Sequence, residues 1–134
     1  QTLTITKEVI FISIPIAIFI GSILLSNNIR DLDGDKKNGR QTIAILLGRK
    51  RAINFLALLF ICAYGLTAYF IIIGILPKIS VIVFLTMFKA YEVIKNFQGK
   101  TKPLEMMPAM VATGKTNTLY GFLLGLSLLI SKFI

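Results

Sequence analysis

A chain of 134 residues has the length of one soluble domain, but 55% hydrophobic and only 16% charged residues exclude an ordinary soluble protein, where charged residues make up about a quarter. The formal charge of +9 would suit nucleic acid. Its placement excludes that partner, because nearly every Lys and Arg lies between long apolar blocks, as in membrane loops.

In chain order, Gln1 opens the sequence with no charged segment or small-residue cleavage site ahead of the first apolar block. The chain therefore reads as a piece of something longer and not as a secretory signal. Residues 9–26 carry no charge and reach about 27 Å as a helix, enough for a hydrocarbon core, so a first span is expected over about 9–27. Pro15 is tolerable there because neighbouring helices satisfy the freed carbonyl. A second span is expected over 52–76, ending at Pro77. Within it lies Cys62, the single cysteine of a chain without His, so an intrachain disulfide and the common zinc sites are excluded and Cys62 reads as a small buried hydrophobe. A third span over 79–97 is interrupted by Lys89 and Glu92 and needs Lys89 to snorkel. The segment with Pro103, Pro108, Leu104, Met106, Met107 and Met110 reads as an interfacial stretch, and a fourth span follows over 117–134.

Twelve basic residues share one side of this arrangement: Arg30, Lys36, Lys37, Arg40, Arg49, Lys50 and Arg51 after the first span, and Lys89, Lys95, Lys100, Lys102 and Lys115 around the third loop. Lys7, Lys78 and Lys132 stand opposite. The bias makes both long loops cytoplasmic in a multi-pass protein of the plasma membrane, with both ends of this piece outside.

The segment Asn27 to Thr42 holds three of the six acidic residues, Asp31, Asp33 and Asp35. Asn27, Asp31 and Asp35 are spaced i, i+4, i+8, so they line one face if the first helix continues past Ser26, and Asp33 falls off that face. Carboxylates one turn apart repel unless a cation lies between them, and oxygen donors beside Arg and Lys suit Mg²⁺ with a phosphate. The alternative is an ordinary solvated loop. A calcium loop begun at Asp31 fails, since its sixth and twelfth positions are Lys36 and Thr42 instead of Gly and Glu. A CDP-alcohol phosphotransferase reading fails on a missing Ala-Arg element. Ala112-Thr113-Gly114-Lys115-Thr116 imitates the end of a P-loop, but Ala109 stands where the first Gly belongs. After the acids, Thr42 is an N-cap, Ile43–Leu47 a short helical turn and Gly48 its stop, expected to cover the mouth of the bundle.

Asn27-Asn28-Ile29-Arg30-Asp31, then Asp35, Gly39-Arg40-x-Thr42 and Leu47-Gly48-Arg49 resemble the second aspartate-rich motif of the UbiA prenyltransferase superfamily. The likeness extends from Gln1-Thr2 to the Pro108–Leu124 approach and is greatest to members that prenylate 1,4-dihydroxy-2-naphthoate. It implies an all-α integral membrane fold whose four spans are the last four of a nine-helix bundle, forming a single membrane domain over 1–134. It also implies Mg²⁺-dependent transfer of a polyprenyl group from polyprenyl diphosphate to the aromatic acceptor, giving demethylmenaquinone. Asp31 and Asp35 would be the catalytic metal ligands with Asn27 as helper, and Arg40, Lys36 and Arg30 would bind diphosphate. Lys89, Glu92 and Lys115 are expected to anchor at the interface. The family's first aspartate motif is absent, so this piece alone is expected to be inactive without an N-terminal half. Two alternatives stand beside this: a related enzyme with another acceptor, such as a hydroxybenzoate or a haem precursor, and a non-catalytic membrane partner or transporter subunit. The second is weakened because spans one, two and four hold almost no polar groups beyond Ser, Thr, Asn54 and Tyr.

Overall fold

The structure is a computed structural model that describes residues 6–133. Gln1-Thr2 and residue 134, the end of the fourth expected span, lie outside the described residues. Among those described, the fold is all-helical: α1 (Lys7–Lys37), α2 (Ile43–Leu47), α3 (Arg49–Ile72), a 3-10 stretch (Lys78–Thr86) running into α4 (Met87–Phe97), and a short 3-10 turn (Pro103–Met106) running into α5 (Met107–Ile130).

The first helix does continue past Ser26. Thr6 caps its start by accepting from the Val9 amide, and its 31 residues reach about 46 Å, well beyond a ~30 Å hydrocarbon core. The acidic segment is therefore helical and projects from the apolar part. Both α1 and α3 are long and apolar enough to cross a membrane. The fourth expected span begins about ten residues early, at Met107, with Pro108 in the first turn where a missing N–H costs nothing. That absorbs much of the expected interfacial stretch, and Met106 and Ala109 are fully buried. The P-loop look-alike lies in the middle of α5.

The third expected span is helical but not uniformly α. Lys78–Thr86 wind as a 3-10 helix, in which every third residue shares a face, and Ser80, Val83 and Thr86 are the buried ones. That winding keeps both hydroxyls pointing inward. Cys62 corrects the expectation of burial: it is exposed, on the outer face of α3 beside Ile61 and Leu58.

The core is a cluster of aromatic rings, with Phe19 of α1 4.3 Å from Tyr120 of α5 and edge-on to Tyr64 of α3 at 5.4 Å. Four hydroxyl pairs join the helices through this core: Ser26–Thr113 at 3.2 Å, Thr67–Tyr120 at 2.5 Å, Tyr64–Thr86 at 2.6 Å and Ser80–Ser127 at 2.8 Å. In each pair one hydroxyl gives its proton to a carbonyl of its own helix, namely Thr113 to Ala109, Thr67 to Ala63, Thr86 to Val83 and Ser127 to Leu124. A hydroxyl has one proton, so these four must accept across the gap, and Ser26, Tyr120, Tyr64 and Ser80 must donate.

This polarity generates a test. Tyr120→Phe and Thr67→Val delete the same bond, but only the second strands a buried phenol without its acceptor. We expect Thr67→Val to cost about 1–3 kcal/mol and Tyr120→Phe about 0.5–1 kcal/mol. Thermal unfolding in detergent measures both, with Tyr69→Phe on the exposed face as a control that leaves the midpoint unchanged. Equal losses would refute the assigned direction.

Candidate functional site

The end of α1 is shaped by its own stop signal. Gly39 takes φ +72°, its amide bonds the Lys36 carbonyl, and the Arg40 amide bonds the Asp35 carbonyl at 3.0 Å. This is a Schellman turn, which needs a residue without a side chain at the left-handed position. It folds the chain back so that Arg40 Nη1 donates to Asp35 Oδ1 at 3.2 Å.

Asn27, Asp31 and Asp35 lie at successive turns of α1, as the spacing requires. Their surroundings differ. Asp35 is on the packed face and its side chain is 12% exposed, whereas Asn27 and Asp31 are half-buried beside it. Asp31 receives two hydrogen bonds from its neighbour, Arg30 Nε and Nη2, both at 2.7 Å. Those bonds hold its carboxyl below the usual carboxylate range and raise the Arg30 guanidinium further. Lys36 is exposed next to Asp35 and has no ion-pair partner among the described residues.

One participant was missed in the sequence. Arg49, the first residue of α3, donates from Nη2 to Asp33 Oδ2 at 2.7 Å, from Nη1 to the Ile29 carbonyl, and to Met106 Sδ at 3.4 Å. It ties α1, α3 and the start of α5 together and gives Asp33, off the shared face, a structural partner. Arg49 can reach because Gly48 adopts φ +75°, ψ 153°, a conformation open essentially to glycine, which turns α3 sharply off α2. As expected, Thr42 caps α2 by accepting from the Ile45 amide at 3.3 Å. The helix packs on α1 and α3 through buried Ala44 and leaves Ile43 and Leu46 exposed. Lys89, Glu92 and Lys115 gather around one depression between α4 and α5, with Lys89 and Glu92 paired at 2.9 Å.

Two carboxylates and an amide oxygen on one helix face, with no sulfur or imidazole, make a donor set for a hard divalent cation. Among the described residues no three acidic, His or Cys side chains converge into a metal cluster. What is present is a partial donor set flanked by guanidinium groups, suited to a cation shared with a phosphate.

Residues 1–107 match the UbiA prenyltransferase family. The chain is 47% identical, over 99% of its length, to 1,4-dihydroxy-2-naphthoate octaprenyltransferase of Bacillus subtilis, and covers 43% of that protein. It is 32% identical, over 83% of its length, to the UbiA prenyltransferase domain-containing protein 1 homolog of Drosophila melanogaster, covering 30% of that one. The chain thus spans less than half the length of either relative. No solved structure matches it.

The Arg30–Asp31 pair predicts an acid response. A carboxyl whose folded-state pKa is lowered stabilises the fold above its unfolded value of about 4, and that contribution disappears as pH falls through the lowered folded value. We expect acid unfolding of the wild type below about pH 4 to include a component that Asp31→Asn lacks. Helicity followed during acid titration of the two proteins checks it.

Proposed function

The chain belongs to the UbiA prenyltransferase family, and we propose that it supplies the second aspartate motif of an enzyme that transfers a polyprenyl group from polyprenyl diphosphate to 1,4-dihydroxy-2-naphthoate, giving demethylmenaquinol, the hydroquinone that a separate two-electron oxidation converts to demethylmenaquinone. The observation that carries this is the pair Asp31 and Asp35, one turn apart where α1 projects from its apolar part, within a segment of a chain 47% identical to an enzyme of that name. On this reading α1, α3, the 3-10–α4 unit and α5 all cross the plasma membrane. They are the last four of nine helices, with the acidic end cytoplasmic. Twelve of fifteen basic residues at that end support the orientation.

Asp31 and Asp35, helped by Asn27, would hold Mg²⁺, whose charge offsets that of the leaving diphosphate. The chain's own cations do the rest. Arg40 is 71% exposed and makes a single 3.2 Å contact, so it is free to leave Asp35 and take up a phosphate oxygen. Lys36 and Arg30 add charge on either side. As the allylic C–O bond breaks, these groups stabilise the diphosphate that departs with the electron pair. The acceptor ring forms a new C–C bond to the prenyl carbon and releases its carboxylate as carbon dioxide. Catalysis then requires further helices carrying the partner aspartate motif, and residues 1–134 alone are inactive.

In the complete enzyme, Asp35→Asn and Asp31→Asn should each lower prenyl transfer by about 100-fold or more, while Asp33→Asn lowers thermal stability with a smaller effect on rate. Transfer of a radiolabelled prenyl group in membranes, with and without a chelator, reads all three. Activity that survives Asp35→Asn removes Asp35 from the site.

A further inference from the structure

The seam between α3 and α4 lies away from the acidic face: α1 packs against α3 and α5, and α4 packs against α5 on the far side. Two hollows sit one above the other along this seam. The one at the acidic end, about 500 Å³, is lined by Arg49, Lys50, Asn54, Gln98, Lys100 and Thr101. The second, about 420 Å³, begins one turn further along both helices at Ala57 and Ile94 and is almost wholly apolar, running past Ile61, Gly65 and Ala68. Arg49 is already committed to Asp33 and to the Ile29 carbonyl. Lys50 and Lys100 have no acidic partner among the described residues. The first turn of α3 also opens here without a side-chain cap, so its amides add positive character to the same hollow.

We propose that this seam binds one anionic phospholipid of the surrounding bilayer, its phosphate on Lys50 and Lys100 with Asn54 and Gln98 donating, and an acyl chain in the apolar groove. The order of polarity along the seam matches such a molecule: charge and amides at the end where head groups lie, hydrocarbon lining toward the membrane centre. The groove is wide because Ala57, Gly65, Ala68 and Ala90 withhold side chains, and a Cβ built on Gly65 meets nothing within 4 Å. The inference rests on the membrane placement proposed above but not on the prenyltransferase site, since none of the proposed metal or diphosphate ligands lines the seam.

The test uses the full-length protein, purified in detergent, stripped of lipid and titrated with phosphatidylglycerol or phosphatidylcholine under native mass spectrometry. The wild type should retain one phosphatidylglycerol in preference to phosphatidylcholine. Lys50→Gln with Lys100→Gln should weaken phosphatidylglycerol about 10- to 30-fold, and either single change severalfold. Gly65→Leu should weaken it by filling the tail groove, while Lys78→Gln with Lys132→Gln, at the opposite ends, should not. Phosphatidylglycerol binding that persists in Asp35→Asn, and in the wild type with a polyprenyl diphosphate bound at the same time, separates this site from the proposed catalytic one. Equal affinity for the two lipids, indifference to the Lys50 and Lys100 changes, or one-for-one displacement by geranylgeranyl diphosphate would each overturn the inference, the last by making the seam the donor's own site.

Discussion

Within a lipid bilayer, burying an apolar side chain gains little, because the tails outside are as apolar as the core inside. What fixes the helices is shape and the four hydroxyl rungs, each with a defined donor and a defined acceptor. Because every accepting hydroxyl spends its proton on its own helix, a helix that slides by a turn leaves a buried phenol or serine donor with nothing to meet. The rungs therefore set register more than they add stability. Among the described residues, no buried side-chain nitrogen or oxygen lacks a partner. Through Ser26–Thr113 and Thr67–Tyr120 they hold α5 against α1 and α3. That position brings Met106 and Arg49 beneath the acidic end of α1.

Three aspartates within five positions should repel, yet each has its own guanidinium: Asp31 with Arg30, Asp33 with Arg49, Asp35 with Arg40. The pairs are not equivalent. Arg49 is 15% exposed and bonded three ways, so it is part of the scaffold. Arg30 and Arg40 come from flanking positions on or next to α1 itself and meet solvent, so neither ion pair ties α1 to another helix. On the proposed reading, ligand binding is then an exchange of partners among groups already in place, and the off-face position of Asp33 follows from its tie to α3.

The sequence disclosed what depends on local spacing. The i, i+4, i+8 run of Asn27, Asp31 and Asp35 set the condition that α1 continue past the expected span end at 27, which it does, and Thr42 and Gly48 anticipated both ends of α2. It hid what depends on distant neighbours. Arg49 closed the aspartate-rich motif without a role, because its acidic partner lies 16 positions away and its other acceptor is a backbone carbonyl. Cys62 was misread for a different reason: in a membrane bundle an apolar neighbourhood does not mean an interior one, so hydrophobicity alone cannot say which face of α3 turns inward. The hydroxyl residues carry that information instead: Tyr64 and Thr67 each pair across the core, and the buried side of α3 runs through them together with Leu56, Phe60, Ala63 and Phe70. The 3-10 winding of Lys78–Thr86 is legible only afterwards, as the period that keeps Ser80 and Thr86 on one line.

A net charge of +9 needs an account, and topology gives a fuller one than orientation alone. At the end shared by the last turns of α1 and α4 and the first turns of α3 and α5, three arginines are neutralised by three aspartates, and Lys89, back in the first turn of α4, is neutralised by Glu92. Lys36 stays unpaired on the acidic helix, and Lys50 and Lys100 stay unpaired across the bundle. Among the cations left after internal pairing, two groups differ in their surroundings, Lys36 beside carboxylates and Lys50 with Lys100 above an apolar groove, while Lys37, Arg51, Lys95, Lys102 and Lys115 are likewise without an acidic partner among the described residues. The first suits an anion that arrives with a cation, as a diphosphate does, and the second an anion that arrives with a hydrocarbon tail and no metal. On the two proposals the carboxylates distinguish the sites: beside them the ligand would bring a metal, and away from them it would bring only its charge.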